Sequence, residues 1–131
     1  MIILDTHAWL WWLHAPENLS KKALSVIQRK VKTREVIVSV ISVWEVAVKV
    51  EVGKLKLPME LRDWFCEARK YDGIAIESLD PMDAIASTVL PGSFHKDPAD
   101  RILVAIARRY QAPLVTRDKT IALYPHVETL W

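Results

Sequence analysis

Four carboxylates in this chain stand near the end of an apolar run or the start of a helical pattern. They are Asp5, Glu45, Asp100 and Asp118. Clustered carboxylates repel one another, and Mg²⁺ or Mn²⁺ is the kind of ion that such oxygen-rich sites prefer. A divalent ion held there would orient water and stabilise the charge that develops when a phosphodiester is attacked. These residue types indicate metal-dependent phosphodiester hydrolysis, on condition that the fold brings them together.

Three of these carboxylates also have a purely structural interpretation. Asp5 and Asp118 precede helical segments and are good N-caps, because aspartate accepts hydrogen bonds from the first free amides of a helix. Glu45 fits a capping box that begins at Ser42, in which the glutamate would bond back to the Ser42 amide. The functional hypothesis therefore depends on the convergence of the carboxylates and not on any one of them.

The segment 95–101 is dense in polar side chains and opens a strongly apolar helical pattern. Asp97 before Pro98 is typical of an N-cap followed by proline at the first helical position. Asp100 is then placed either to complete that cap or to point into the cleft, with Arg101 facing outward. Both interpretations of Asp100 stay open from the sequence.

The histidines and glycines favour no other chemistry. A zinc site requires closely spaced His and Cys ligands, such as H-E-x-x-H, and the sequence has none. His7 and His95 lie near the proposed cleft and are interpreted as supporting groups, whereas His14 and His126 have no evident partner. The three glycines form no phosphate-binding loop.

Alternating apolar runs and helical patterns must position these residues. Short β-branched runs are predicted as strands at 2–4, 36–39, 74–76, 114–116 and 127–130. One helix is predicted to begin near residue 20, and a second follows the strand at 36–39 and ends at Gly53. A third is predicted to begin at Pro58, and three more span 81–90, 98–110 and 118–123. This alternation indicates βαβ units around a parallel sheet. Ligands bind at the carboxyl ends of such strands, where the carboxylates are expected.

Composition bounds the class of protein. The chain has 131 residues, of which 51% are hydrophobic, so one domain over 1–131 with a substantial core is expected. The near balance of 18 basic and 16 acidic residues excludes a disordered charged tail. A single cysteine, Cys66, excludes a disulfide framework and favours a reduced, cytoplasmic protein. The run 6–15 is too short to cross a bilayer, and no signal peptide is recognised.

Net charge does not indicate nucleic acid at first sight, because it is only +2. Setting aside the four candidate ligands leaves 12 acidic residues against 18 basic ones. A basic body around an acidic, metal-neutralised cleft suits an enzyme that binds a polyanion.

Four sequence blocks carry a resemblance to a known family. They are LDTH at 4–7, WEVAVK at 44–49, HKDPADR at 95–101 and LVTRD at 114–118. In this order and spacing they resemble the PIN-domain ribonucleases, specifically the VapC-type toxins of type II toxin–antitoxin systems, nearly end to end. The sequence departs from that subgroup at Ala99, where relatives often carry a bulky aromatic residue, and at Asp83, where many have histidine.

The resemblance implies a fold, a site and partners. The fold is a three-layer α/β/α sandwich with a central, mostly parallel sheet. The implied metal ligands are Asp5, Glu45 and Asp100, with Asp118 acting directly or through water, and the implied ion is Mg²⁺ or Mn²⁺. Supporting positions are Thr6, Thr116 and Asp97. The implied activity is cleavage of RNA to leave a 5′-phosphate, in a homodimer controlled by an antitoxin whose tail covers the cleft.

Two other functions compete with this interpretation. A catalytically silent PIN-like module that binds RNA or protein would keep the fold and lose an acid, yet all four are present. A phosphotransfer receiver also binds Mg²⁺ and would use an acceptor such as Asp80 after the third strand. It requires a lysine after its fifth strand, which is missing here.

Overall fold

Five parallel strands form the centre of the structure, a computed structural model that describes residues 1–131. The strand order is β3-β2-β1-β4-β5. The strands are β1 (Ile2–Leu4), β2 (Val36–Ser39), β3 (Ile74–Glu77), β4 (Leu114–Val115) and β5 (Thr129–Leu130). Every neighbouring pair is parallel, which confirms the predicted α/β class with its central sheet.

Seven helices connect and cover these strands. They are α1 (Thr6–His14), α2 (Lys21–Lys32), α3 (Val40–Glu51), α4 (Leu61–Ala68), α5 (Pro81–Ala86), α6 (Pro98–Tyr110) and α7 (Lys119–Leu123). No helix is long and apolar enough to cross a membrane.

The core lies on both faces of the sheet, as a three-layer arrangement requires. Successive side chains of a strand point to opposite faces. Ile2 and Leu4 accordingly pack in one cluster with residues of α1, α2, α3 and α4. Ile3 packs in the other cluster with residues of α6 and with Ile121 of α7. Strands buried on both faces read as continuous apolar runs, which explains the unbroken sequences of β1 and β2.

Strand register brings three chain segments to one edge of the sheet. Leu4 of β1 is paired with Val38 of β2 and with Val115 of β4. The residues that follow these strands, among them Asp5 and Thr116, therefore meet at the carboxyl edge. This is the edge at which ligands were expected.

Three predicted boundaries are wrong. Pro58 is not in the first turn of a helix, because α4 begins at Leu61, where the Glu60 carboxylate accepts hydrogen bonds from two backbone amides. The predicted helix 81–90 ends at Ala86, where the Ser87 and Thr88 hydroxyls donate to nearby carbonyls and compete with helical bonding. The last strand covers only Thr129–Leu130.

The two departures from the VapC-type subgroup lie outside the acidic cleft. Asp83 on α5 is buried and accepts two hydrogen bonds from the Arg109 guanidinium of α6, at 2.8 and 2.9 Å. Ala99 is also buried, in the first turn of α6, so a bulky aromatic residue would require the surroundings to shift. The Asp83–Arg109 ion pair therefore links α5 to α6 and stabilises the fold.

Candidate active site

A cleft of about 510 Å³ opens at the carboxyl edge of the sheet. All four predicted carboxylates line it, together with Asp97 and Thr6. The structure thus brings together residues that are up to 113 positions apart in the chain, from Asp5 to Asp118. The predicted convergence, on which the functional hypothesis depended, is present in the fold.

Asp5 is both a helix cap and a cleft residue. Its Oδ1 accepts a hydrogen bond from the Ala8 amide at 2.8 Å, which caps α1. Burial raises the pKa of the Asp5 carboxyl, and the nearby charge of Asp118 raises it further, against the opposing effect of the Thr116 side chain. Asp5 therefore caps α1 and lines the cleft at the same time.

Glu45 is not part of a capping box. Ser42 lies inside α3, whose N-cap is Ser39, and the Glu45 carboxylate bonds elsewhere. It accepts a hydrogen bond from the Thr6 hydroxyl of α1 at 2.5 Å, and that hydroxyl lies 2.9 Å from the Ser42 hydroxyl. Because α1 holds Glu45 across the cleft, this carboxylate is positioned for the site and not for its own helix.

Asp100 lies in the first turn of α6 among other negative charges. Its backbone amide donates to the Asp97 carboxylate, which caps the helix, while its own side chain lies 3.3 Å from Nε2 of His95. Burial, followed by the charges of Asp97, Glu45, Asp118 and Asp5, raises the pKa of Asp100 to about 7. Asp100 does not complete the cap, so the cleft interpretation is the one that the structure supports.

The His95 ring contacts the Asp100 carboxylate. The Asp97 amide donates to Nδ1 of His95 at 3.3 Å, which leaves the proton on Nε2, facing the Asp100 carboxylate. Arg101 was expected to face outward, and this prediction is wrong. Its guanidinium donates to the carbonyls of Phe94, His95 and Ser87. These bonds fix the loop that carries His95.

Asp118 caps α7 with one oxygen, which accepts from the amides of Thr120 and Ile121. Its own amide donates to the Thr116 hydroxyl at 3.0 Å. Thr116 therefore lies beside both Asp118 and Asp5, and its supporting role stays a prediction.

The donor set has the chemistry of a site for a hard divalent ion. It consists of carboxylate oxygens, where burial and then mutual repulsion raise the pKa of Asp100, and a cation relieves such repulsion. As the side chains stand, no three acidic, histidine or cysteine groups are close enough together to hold one ion. Binding an ion would therefore require the carboxylates to move towards one another.

Two basic side chains on the cleft were not singled out from the sequence. Lys49 lies one helical turn after Glu45 and its Nζ is 3.1 Å from Nε2 of His7. Arg117 lies next to Asp118 in the chain and over the ring of Trp11. Two signals in the sequence would have found them. Lys49 lies four residues after Glu45 on one helix, and Arg117 precedes Asp118 in the LVTRD block. Burial and the charge of Lys49 lower the pKa of His7.

The two remaining histidines have partners after all. His14 accepts a hydrogen bond from the Trp64 indole at 2.8 Å. His126 packs its ring against Tyr124, and its carbonyl accepts from Arg108. Neither histidine lines the cleft, so neither is a candidate catalytic residue.

Comparison with known proteins shows the family to which the chain belongs. The chain is 30% identical over 132 residues to "Ribonuclease VapC22" of Mycobacterium tuberculosis (strain ATCC 25618 / H37Rv), covering 99% of this chain and 98% of that protein. Among solved structures, VapBC2 from Rickettsia felis, bound to a DNA fragment from its promoter, superposes with a TM-score of 0.70 at 15% identity, covering 99% and 98% of the two chains. FitAcB from Neisseria gonorrhoeae gives 0.69 at 18% identity, covering 100% and 97%. These likenesses show the shared fold. The sequence pattern of the PIN domain matches residues 2–127, and the chain therefore belongs to the PIN domain family.

Proposed function

We propose that this protein is a metal-dependent endoribonuclease and the toxin component of a type II toxin–antitoxin system, acting in the cytoplasm. The observation that carries the proposal is the meeting of Asp5, Glu45, Asp100 and Asp118 in one cleft. The 30% identity to a ribonuclease over nearly the whole chain supports it. The fold alone would not, because one fold serves many functions.

Each carboxylate has a role in the proposal. Asp5, Glu45 and Asp100 would hold Mg²⁺ or Mn²⁺, and Asp118 would assist directly or through water. When bound, such an ion would supply an activated water and stabilise the charge on the attacked phosphate. The chain's own residues orient the ligands, since the Thr6 hydroxyl donates to Glu45 and the Thr116 hydroxyl accepts from the Asp118 amide.

The remaining polar residues hold this arrangement and receive the substrate. Asp97 caps α6 and so holds the backbone that carries Asp100. Lys49 and Arg117 line the same cleft and provide positive charge for RNA phosphates next to the acidic ligands.

Metal removal is the direct test of the activity. Purified protein incubated with total RNA and Mg²⁺ or Mn²⁺ is expected to produce new 5′-phosphate ends, which end mapping detects. Excess EDTA should stop cleavage and either ion should restore it. The matched control is the Asp5→Asn variant, in which asparagine still caps α1 but lacks the charge. RNA binding without cleavage would identify the silent module instead, and cleavage that persists in EDTA would exclude a metal enzyme.

An antitoxin is the proposed protein partner. The structures with which this chain shares its fold include a toxin–antitoxin complex from Klebsiella pneumoniae, with a TM-score of 0.63 at 18% identity over 100% of this chain and 97% of that chain. We propose that a segment of the antitoxin covers the cleft. A basic side chain of that segment would meet the same carboxylates that hold the ion, and so would inhibit by displacing it.

A homodimer is the proposed assembly, and exposed apolar side chains indicate its surface. One face of α3, continued by its C-cap residue, carries an apolar side chain at every fourth position and remains exposed. These residues are Val40, Trp44, Val48 and Val52. Trp44 is 54% exposed, which is unusual for so large an apolar side chain. Such a stripe on one helix can pair with its own copy about a two-fold axis.

The Trp44→Glu variant is expected to be monomeric, because the charge would be buried in the proposed interface without a partner. Light scattering at micromolar concentration measures the mass of the wild-type protein and the variant. Leu123→Glu is the matched control, since Leu123 is 82% exposed on α7, outside the stripe, and its replacement should leave the dimer intact. A monomeric wild-type protein would contradict the dimer.

A further inference from the structure

A second groove adjoins the cleft and has a different character. It measures about 670 Å³ and runs between α1 and the segment 54–58. His7, Trp11 and Lys49 line both the cleft and this groove, so the two are continuous. We call it the lysine groove, after Lys49, Lys54 and Lys56 along its wall.

The charge of the lysine groove is of one sign. Three lysines line it, and no aspartate or glutamate does. None of the three lysines is in an ion pair with a carboxylate of the chain. Lys54 and Lys56 are exposed and free to contact a ligand. Such a row of unpaired cations is complementary to a chain of phosphates.

The lining of the groove also includes apolar side chains. Leu10, Leu55, Leu57 and Pro58 are among them, and Trp11 lines both the groove and the cleft. A duplex presents its sugar–phosphate surface and hides its bases, whereas an unpaired strand also offers apolar base faces. A groove lined by both lysines and apolar side chains matches an unpaired strand on both counts.

We propose that the lysine groove binds the part of the RNA strand that flanks the cleaved phosphate, with Lys54 and Lys56 on its phosphates and its bases against the apolar side chains of the lining. This inference rests on the proposed function and extends it to a binding subsite. A strand cut inside the cleft must continue out of it on both sides. The lysine groove provides one exit whose charge is opposite to that of the carboxylate cluster.

The test separates RNA binding from RNA cleavage. Binding is measured by fluorescence anisotropy with a short, labelled single-stranded RNA, in the Asp5→Asn background so that the RNA stays intact. Lys54→Ala/Lys56→Ala should weaken binding about fivefold near physiological salt. It should also reduce the slope of log affinity against log salt by about 1.4, since two phosphate contacts are lost from a single strand. The matched control is Arg29→Ala/Lys32→Ala, two exposed basic residues towards the far end of α2.

The same lysine substitutions in the active protein are expected to raise KM for RNA with little change in kcat. Unchanged affinity, salt slope and KM in the lysine variant would overturn the inference and leave the groove to another occupant, such as a segment of a protein partner. Equal losses in the Arg29 and Lys32 control would also overturn it, because the effect would then be one of net charge. If the wild-type protein does not cleave RNA but the salt slope falls as expected, the proposed function fails and the groove assignment stands.

Discussion

Asp100→Asn is expected to abolish RNA cleavage while making the metal-free protein more stable. The loss of activity should reach about a thousandfold or more, because a metal ligand supports several kcal/mol of transition-state stabilisation and each 1.36 kcal/mol is a factor of ten in rate. Asparagine preserves the shape of the side chain and can still accept from His95. The variant therefore removes charge from the cleft with little change in packing.

The gain in stability follows from the pKa of Asp100. That pKa is raised to about 7 by burial and by the neighbouring carboxylates, so the folded protein holds a proton that the unfolded chain releases near pH 4. The unfolding free energy of the metal-free protein should therefore fall as pH rises from about 4 to about 7. Asp100→Asn removes this contribution and should be more stable than wild type by roughly 1–3 kcal/mol at pH 8.

Thermal unfolding in EDTA across this pH range measures the effect. Added Mg²⁺ or Mn²⁺ should stabilise the wild-type protein at pH 8 and have little effect on Asp100→Asn, because ligand binding stabilises only the state that binds. Glu128→Gln is the matched control, since Glu128 is exposed and precedes β5 at the opposite edge of the sheet. A variant less stable than wild type at pH 8 would show that the carboxylate cluster is not repulsive in the metal-free protein.

Arg109→Ala is expected to destabilise the protein more than Asp83→Ala does. Asp83 is 2% exposed, and its two oxygens are satisfied only by the Arg109 guanidinium. Removing the arginine leaves a buried, unpaired carboxylate and should cost about 3–5 kcal/mol. Removing the aspartate leaves an arginine side chain that is 41% exposed and can be hydrated, so this loss should be smaller.

Urea unfolding of the two single variants and of the double variant tests this asymmetry. The double variant should recover part of the stability lost in Arg109→Ala, because the orphaned carboxylate is gone. Cleavage per folded molecule should be nearly unchanged in both single variants, since the pair lies outside the cleft. Equal destabilisation by the two alanine substitutions would mean that burial of Asp83 does not govern the energetics of the pair.

Much of the fold followed from local pattern in the sequence. The apolar run at 2–4 and the helix over Pro98–Tyr110 were predicted within their observed bounds. Such elements depend on interactions between residues a few positions apart, which a sequence displays directly. The errors in helix bounds lie at the start of α4 and the end of α5, where the Glu60, Ser87 and Thr88 side chains bond the backbone. These side-chain bonds to the backbone compete with the backbone hydrogen bonds of a further helical turn, so the helix bounds were hard to predict.

The identity of the four carboxylates, and their expected place at the carboxyl edge of a parallel sheet, were determined by the sequence alone. Only the tertiary structure decided what each side chain touches. Glu45 is bonded to Thr6, 39 residues away, and not to Ser42 three residues away. The raised pKa of Asp100 comes from burial, from the neighbouring charge of Asp97 and from charges on three other segments. Partner choice between distant segments depends on strand register and packing, and burial depends on the whole fold, so neither can be read from local spacing.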